Sequence, residues 1–351
     1  MTSTNGLVLV TGGSGFIGSH CILLLLQRGY RVRTTTRSLS RADDVRQMLK
    51  VGGATEKQVD GVEFAAAQLT SDEGWEKACR HCRTVLHVAS PFPPAAPKNE
   101  DELIVPAREG TLRVLRAARA AGTVRRVVVT SSFAAVGYGH ADQGSKPFTE
   151  EDWTVLEHSA QPVPAYPKSK TIAEKAAWDW MKNEGGDMEL AVVNPVAVYG
   201  PILSKSYSTS VELVVRLMNG QLPGVPQLAL GVVDVRDVSD LHLRCMVDPK
   251  AAGQRFIAVT GDFLWVQAIA QALREKLGSK ASKVPTRVLP NFLLKLASYF
   301  DSTVAMILPD LGKYKTASSE KAQTMLGWQP RSAEDALAAT AESLEKFGLL
   351  K

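Results

Sequence analysis

Cysteine is scarce in this sequence, with four residues in 351: Cys21, Cys79, Cys82 and Cys245. A disulfide framework in so long a chain would need more, so we expect free thiols and a reducing, cytoplasmic location. Cys79 and Cys82 have the CxxC spacing of a metal ligand pair. Because no second CxxC or HxxxH pair accompanies them, no metal site is expected.

Long apolar runs and charge of one sign are also lacking. The strongest apolar run, residues 21–26, is far shorter than the roughly 20 residues of a membrane-spanning helix, so no membrane association is expected. The net charge of +5 arises from 41 basic and 36 acidic residues scattered along the chain, which does not predict nucleic-acid binding. The absence of GxSxG and HExxH motifs removes support for the common hydrolase classes.

Short β-branched runs alternate with segments of helical periodicity over the first half of the chain. The strand candidates are 7–10, 32–36, 62–65, 85–88, 127–130 and 190–193, and the helix candidates are 14–28, 41–50, 73–80, 100–121 and 164–183. Strands that are apolar on both faces and alternate with helices predict a parallel sheet covered on both sides. Right-handed crossovers then give an α/β fold with a Rossmann-type doubly wound sheet.

The pattern becomes irregular after residue 195. The runs 232–235 and 256–259 could return to the sheet, whereas 211–218, 264–277 and 333–347 have helical periodicity. We therefore predict a sheet domain over residues 1–195, with returning segments near 231–262. Residues 196–351 would form mainly a smaller, mostly helical lobe that is interleaved with the sheet.

A glycine-rich turn lies between the first strand and the first helix. Gly12, Gly13, Gly15 and Gly18 satisfy both GxxGxxG and GxGxxG. Glycine at these spacings permits a tight turn and close approach of a pyrophosphate, and the free N–H groups at the start of the helix favour an anion. The pattern predicts a dinucleotide cofactor.

The end of the second strand indicates which dinucleotide is bound. An NAD-binding domain would usually carry Asp or Glu there, but this strand ends at Arg37, with Arg41 four residues on. Guanidinium groups suit the 2′-phosphate of NADP through paired hydrogen bonds. NADPH is therefore the expected cofactor.

Tyr166 and Lys170 stand four residues apart and would share one face of a helix. A nearby ammonium is expected to lower the pKa of the phenol, which could then protonate the alkoxide formed when a hydride reaches a carbonyl. The strand 127–130 ends in Ser131 and Ser132, at the edge where open α/β sheets bind ligands. Strand alternation should point only one of these hydroxyls into the site.

These motifs resemble those of the extended short-chain dehydrogenases/reductases. The nearest group contains dihydroflavonol reductases, cinnamoyl-CoA reductases and yeast methylglyoxal or aldehyde reductases. The matching segments, in order, are 10–18, Arg37, 87–92, 130–132, 166–170, 194–201 and 234–238. The resemblance covers roughly residues 7–260 and is looser beyond them.

The resemblance implies a role for each matching position. Ser132 corresponds to the catalytic serine, Tyr166 to the proton donor, and Lys170 to the residue that binds the nicotinamide ribose and lowers the tyrosine pKa. Cofactor contacts are implied for Gly12, Gly15, Phe16, Ile17, Gly18, Arg37, Arg41, Gln68, Leu69, Ala89, Tyr166, Lys170, Pro195, Val198 and Ser210. Substrate contacts are implied for Ser90, Phe92 and Phe133.

Two positions depart from the family pattern. The third strand normally ends in Asp-Leu, whose carboxylate contacts the adenine amino group, whereas this chain has Gln68-Leu69. We expect the Gln68 amide to weaken that contact without abolishing it. Five residues after the catalytic serine, plant flavonoid reductases place an Asn that binds substrate hydroxyls, and here the residue is Gly137. A smaller or more apolar carbonyl compound is therefore expected.

The sequence thus predicts an NADPH-dependent reductase that converts an aldehyde or ketone to the alcohol, with Tyr166 as proton donor. A nucleotide-sugar epimerase or dehydratase and a hydroxysteroid dehydrogenase are alternatives on the same scaffold. A non-catalytic NADPH-sensing protein is a further alternative, although such proteins typically lack the tyrosine. We expect a small-molecule carbonyl partner and a monomer or homodimer.

Overall fold

The structure of the protein is a computed structural model that describes residues 6–91, 97, 99–141, 146–300, 304 and 307–351. Over these residues, every helix is either too short or too polar to span a bilayer.

A parallel sheet forms the centre of the molecule, as predicted. In chain order its strands are β1 (Leu7–Thr11), β2 (Arg31–Thr36), β3 (Glu63–Ala66), β4 (Cys82–His87), β5 (Arg126–Thr130), β6 (Glu189–Pro195) and β10 (Gln254–Ala258). Their spatial order is β3-β2-β1-β4-β5-β6-β10, and each neighbouring pair is parallel. The order reverses between β1 and β4, which is where a doubly wound sheet opens a crevice for a ligand.

Helices cover both faces of this sheet because alternate residues of each buried strand point to opposite sides. Val8 and Val10 of β1 pack in the same core cluster as α1 (Phe16–Gln27) and α8 (Val235–Val247), whereas Leu7 and Leu9 pack with α5 (Asp101–Ala120) and α6 (Ala165–Glu184). The other helices of the first half are α2 (Ala42–Val51), α3 (Glu56–Asp60) and α4 (Trp75–Cys79). The Rossmann-type fold class predicted from the sequence is confirmed.

The second half contains two small sheets and a helical region. Strands β7 (Ala197–Tyr199) and β9 (Val232–Asp234) pair in parallel, and β8 (Ala229–Leu230) pairs with β11 (Leu264–Trp265) in antiparallel orientation. A second core cluster joins α7 (Thr209–Met218), α9 (Val266–Leu277) and α12 (Ala333–Lys346). The helices α10 (Asn291–Ala297) and α11 (Glu320–Leu326) complete the helical C-terminal region.

One predicted strand has a different place in the fold. Residues 256–259 do return to the main sheet through β10, but the run 232–235 does not, because β9 pairs with β7 in a separate sheet. Val235 instead begins α8, and the Asp234 carboxylate accepts a hydrogen bond from the Arg236 N–H at 2.8 Å. This aspartate is an N-cap, and it is the sequence signal that indicates a helix there.

Candidate active site

The glycine-rich turn follows β1 and requires glycine for steric reasons. Gly12 has φ +72°, a backbone conformation that side chains disfavour, and a Cβ added there would lie 3.1 Å from the Cα of Ala89. A Cβ added to Gly18 would lie 2.4 Å from the carbonyl oxygen of Gly12. The backbone of the turn and the first turn of α1 are therefore in direct contact.

The start of α1 offers its N–H groups to a ligand. Gly15 occupies the N-cap position, where no side chain satisfies the N–H groups of Phe16, Ile17 and Gly18 within the described part of the chain. Unsatisfied amides and the helix dipole attract an anion. The close-packed turn and the uncapped helix together fit the pyrophosphate of a dinucleotide.

Thr11, the last residue of β1, connects the turn to the end of β4. Its hydroxyl accepts a hydrogen bond from the Ala89 N–H at 3.0 Å and shares another with His87 Nδ1 at 2.9 Å. Burial, with a smaller effect of the Lys170 charge, lowers the pKa of His87 to about 3, so the imidazole is neutral. This contact fixes Ala89 beside Gly12 at the crevice.

The two predicted phosphate-binding arginines differ in their surroundings. Arg37 lies exposed directly after β2, and its guanidinium has no acidic partner among the residues that the structure describes. Arg41 pairs with Asp44 at 3.1 Å. Gln68 is exposed and Leu69 half-buried, both just past the end of β3. Arg37 is thus the arginine whose guanidinium is available to a ligand.

The structure separates the two adjacent serines by their contacts, which strand alternation alone could not do. Ser131 is buried, and its hydroxyl donates to Glu174 Oε2 at 2.5 Å. Ser132 hydrogen-bonds to Tyr166 and accepts from the Ala134 N–H at 3.1 Å. The hydroxyl of Ser132 is therefore the one that lies in the cleft beside the phenol.

Lys170 lies one helical turn after Tyr166 on α6. Its ammonium donates to Ser90 Oγ at 2.9 Å and lies 5.7 Å from the centroid of the Tyr166 ring. Helix α6 begins at Ala165, so Pro167 occupies the first turn, where its missing N–H leaves no intrahelical bond unmade. The helix brings the phenol, the ammonium and the hydroxyl of Ser132 together at the carboxyl end of β5.

The pKa of the phenol is shifted opposite to the sequence expectation. Burial raises the pKa of Tyr166 to about 12, and the Ser132 hydrogen bond only partly opposes this effect. Burial also lowers the pKa of Lys170 to about 8, with the Glu174 carboxylate opposing it. The prediction that Lys170 lowers the phenol pKa is wrong in direction, because desolvation of both groups dominates.

A cavity of about 670 Å³ extends from Ser132 and Tyr166 toward the C-terminal region. Its wall includes Phe133, Val196, Ala197, Ser210 and Phe263. Pro195 and Val198 are buried in the flanking strands β6 and β7. Phe92, expected to contact the substrate, lies outside the described residues.

The cavity wall also contains polar residues that the sequence analysis missed. The Tyr138 hydroxyl donates to Asp310, and Lys315 lies 3.8 Å from the Tyr138 ring centroid and 2.8 Å from Asp310 Oδ1. Burial is the main cause that raises the pKa of Tyr138 above its usual value. Tyr138 is more than 170 positions from Asp310 and from Lys315 in the sequence, so no local pattern links it to them.

At position 137, where plant flavonoid reductases carry an Asn, the Phe133 ring occupies the space that a side chain would need. A Cβ added to Gly137 would lie 2.3 Å from Cζ of Phe133. The Phe133 ring makes edge contacts with Phe148 and Phe263, with centroids 5.8 and 5.2 Å apart. The aromatic ring thus occupies the volume that a side chain at position 137 would need.

We expect Gly137→Ala to reduce the free energy of unfolding by about 1–3 kcal/mol, because the Phe133 ring must leave its packed position. Chemical denaturation measures this loss. Combining Gly137→Ala with Phe133→Leu should recover part of it, since the smaller side chain clears the space. Equal stabilities of Gly137→Ala and the parent protein would contradict this account.

Known proteins match the chain over most of its length. The family model described as NAD dependent epimerase/dehydratase family matches residues 8–258. The NADPH-dependent methylglyoxal reductase GRE2 of Saccharomyces cerevisiae is 32% identical over 355 residues, covering 97% of this chain and 98% of the yeast protein. Cinnamoyl-CoA reductase CAD2 of Medicago truncatula is 35% identical over 257 residues, covering 72% of this chain and 77% of the plant protein.

A solved structure matches the fold over almost the whole chain. Yeast methylglyoxal/isovaleraldehyde reductase Gre2 complexed with NADPH has a TM-score of 0.79 at 28% identity, covering 98% of this chain and 100% of that chain. The family match, the relatives and the solved structure all cover the strand, glycine-rich turn and helix at the start of the chain. The chain belongs to the NAD dependent epimerase/dehydratase family, that is, to the extended short-chain dehydrogenases/reductases.

Proposed function

We propose that this protein reduces an aldehyde or ketone to the alcohol with NADPH as hydride donor. The observation that carries the proposal is the placement of Ser132, Tyr166 and Lys170 between the dinucleotide turn and a largely apolar cavity of about 670 Å³. Residues 1–195 would supply most of the cofactor site and residues 196–351 most of the substrate pocket. The molecule would act as a monomer or homodimer in the cytoplasm.

The cofactor is NADPH. The relatives named for methylglyoxal reduction are NADPH-dependent, and Arg37 offers an exposed guanidinium after β2 for a 2′-phosphate. Phe16, Ile17 and Gly18 would hold the pyrophosphate through their N–H groups, with Ala89 beside them. When bound, NADPH supplies the hydride to the carbonyl carbon.

Three side chains would donate the proton, orient the carbonyl oxygen and stabilise the resulting phenolate. Because its pKa is raised to about 12, Tyr166 stays protonated at neutral pH and can donate its proton to the developing alkoxide. Ser132 donates a hydrogen bond that orients the carbonyl oxygen toward Tyr166. The Lys170 ammonium, held by Ser90, lies close enough to stabilise the phenolate that remains.

The apolar wall of the cavity supports a substrate with an apolar body. Phe133, Val196 and Phe263 surround the space next to Ser132, so burial of apolar surface would supply much of the binding free energy. The filled position at Gly137 leaves no Asn to hold flavonoid hydroxyls. An aliphatic or aromatic carbonyl compound without such hydroxyls is therefore the proposed substrate class.

The proposal is tested by following NADPH or NADH oxidation by absorbance with aliphatic, aromatic and keto-ester carbonyls. NADPH-dependent turnover of at least one carbonyl supports the reductase. If every carbonyl is inert while purified protein retains tightly bound NAD(H), the nucleotide-sugar epimerase or dehydratase alternative replaces it. If NADPH binds without any turnover, the sensing alternative is favoured.

Arg37→Ala should weaken NADPH binding about 10–100-fold, because a charge-assisted hydrogen-bonded contact with the 2′-phosphate is lost. NADH binding should change less than about 2-fold, since NADH lacks that phosphate. Fluorescence titration of each cofactor measures both constants. Arg31→Ala is the matched control: Arg31 begins the same strand and pairs with the half-buried Glu63 at 3.0 Å. Equal losses for NADPH and NADH would remove Arg37 from the phosphate site.

A further inference from the structure

Glu174 is a buried carboxylate directly behind the proposed catalytic groups. It follows Lys170 by one helical turn and Tyr166 by two on α6, and it is 1% exposed. An isolated carboxylate at such a position would be protonated or would strongly destabilise the fold. The role of Glu174 therefore depends on the groups that form hydrogen bonds with it.

Four side chains from different elements donate hydrogen bonds to this carboxylate. Ser131 Oγ and Asn194 Nδ2 reach Oε2 at 2.5 and 2.8 Å. Arg255 Nε reaches Oε1 at 2.7 Å, and Trp178 Nε1 reaches the same atom at 3.4 Å. Glu174 therefore joins α6 to the ends of β5 and β6 and to β10.

Arg255, the cationic partner of Glu174, is held in place by two backbone carbonyl groups and an aromatic ring. Its Nη1 donates to the carbonyl oxygens of Glu150 and Asp152 at 3.0 and 2.9 Å, and its guanidinium lies 3.6 Å from the Trp153 ring centroid. A buried ion pair contributes little net stability compared with apolar side chains of the same size. The location of this pair behind the site points to a positioning role.

The network holds the backbone of Ser132 from two directions. The bond from Ser131 to Glu174 directs that side chain away from the cleft, so the next residue along the chain points into it. Asn194 Nδ2, which donates to Glu174, also donates to the carbonyl oxygen of Ser132 at 3.2 Å. Moving Glu174 would therefore release the Ser131 side chain and remove the acceptor that helps to hold the Asn194 amide beside the Ser132 carbonyl.

The same carboxylate is an acidic group that acts on Lys170. Three neutral groups of the described residues also face that ammonium: the buried imidazole of His87 on β4, the Ser90 hydroxyl and the Tyr166 phenol. Burial lowers the pKa of Lys170, and the negative charge of Glu174 acts in the opposite direction.

We propose that Glu174, held by Arg255, is a positioning residue that orients the Ser132 hydroxyl through Ser131 and Asn194. This inference rests on the proposed carbonyl reduction. Its structural part, the restraint on residues 131–136, can also be measured without turnover.

The test compares Glu174→Gln with Glu189→Gln. Glu189 pairs with Arg126 at 2.7 Å at the opposite ends of β5 and β6, so its loss removes an ion pair from the same strands without touching the site. Glu174→Gln should lower kcat about 10–100-fold through misorientation of Ser132. It should also move the alkaline fall of kcat about one pH unit lower, because Lys170 loses its acidic neighbour. Glu189→Gln should do neither.

Amide hydrogen exchange gives the second measurement. Exchange over residues 131–136 should speed up in Glu174→Gln and stay unchanged in Glu189→Gln. If Glu174→Gln does not fold, Ser131→Ala removes one donor while leaving the ion pair, and it should loosen the same segment. Unchanged exchange together with an unchanged pH profile would overturn the inference. Inert carbonyls with altered exchange would overturn only the proposed reaction.

Discussion

Tyr166→Phe is expected to lower kcat by about 10²–10⁴-fold, because the change removes only the hydroxyl group that is the proposed proton donor. NADPH binding should stay nearly unchanged, since the phenyl ring keeps the shape of the half-buried side chain on α6. Stopped-flow absorbance at saturating carbonyl measures kcat, and fluorescence titration measures the dissociation constant of NADPH.

Tyr199→Phe is the matched control for this experiment. Tyr199 also lines the cavity, and its buried hydroxyl has no hydrogen-bond partner among the described residues. Removing that hydroxyl should change kcat less than about 2-fold and should not destabilise the fold, because no hydrogen bond is lost. Near-normal turnover of Tyr166→Phe would overturn the proposed mechanism, whereas equal losses in both variants would indicate a general effect on the cavity.

The sequence predicts the central fold well because its signals are local. Apolar strands flanked by helical periodicity specify a doubly wound sheet, and the glycine spacing after β1 specifies a turn with one geometry. Gly18 contacts Gly12, which lies only six residues before it in the sequence. Both partners of this contact therefore belong to one short motif that can be recognised in the sequence. The i to i+4 spacing of Tyr166 and Lys170 places them on one face of α6 for the same reason.

Features that depend on distant partners could not be predicted in this way. The choice between Ser131 and Ser132 depends on Glu174, which lies 43 positions beyond Ser131. The link from Tyr138 to Asp310 and Lys315 spans the two halves of the chain.

The direction of the Tyr166 pKa shift depends on burial, which no spacing reports. Spacing placed Lys170 next to the phenol and so suggested a lowered pKa. The surrounding residues that exclude water come from separate segments, and desolvation is the largest cause of the shift of the Tyr166 pKa.

Gly18→Ala should weaken NADPH binding about 10–100-fold, because the added methyl group meets backbone that cannot rotate away. Its Cβ would lie 2.4 Å from the carbonyl oxygen of Gly12, so α1 must shift relative to the turn. That shift moves the N–H groups of Phe16 and Ile17, which we propose hold the pyrophosphate. Fluorescence titration with NADPH and with NADH should show the same loss, because both cofactors carry the pyrophosphate.

Gly61→Ala provides the control for a methyl group without a clash. Gly61 directly follows α3 with φ −75°, and its added Cβ would lie 3.4 Å from the Lys57 carbonyl oxygen, an ordinary contact. This variant should bind both cofactors like the parent protein. The Arg37→Ala and Gly18→Ala variants then test two different parts of the cofactor site. Arg37→Ala should weaken the binding of NADPH but not of NADH, whereas Gly18→Ala should weaken the binding of both. If Gly18→Ala binds both cofactors normally, the pyrophosphate does not lie on α1, and the proposed placement of the cofactor fails.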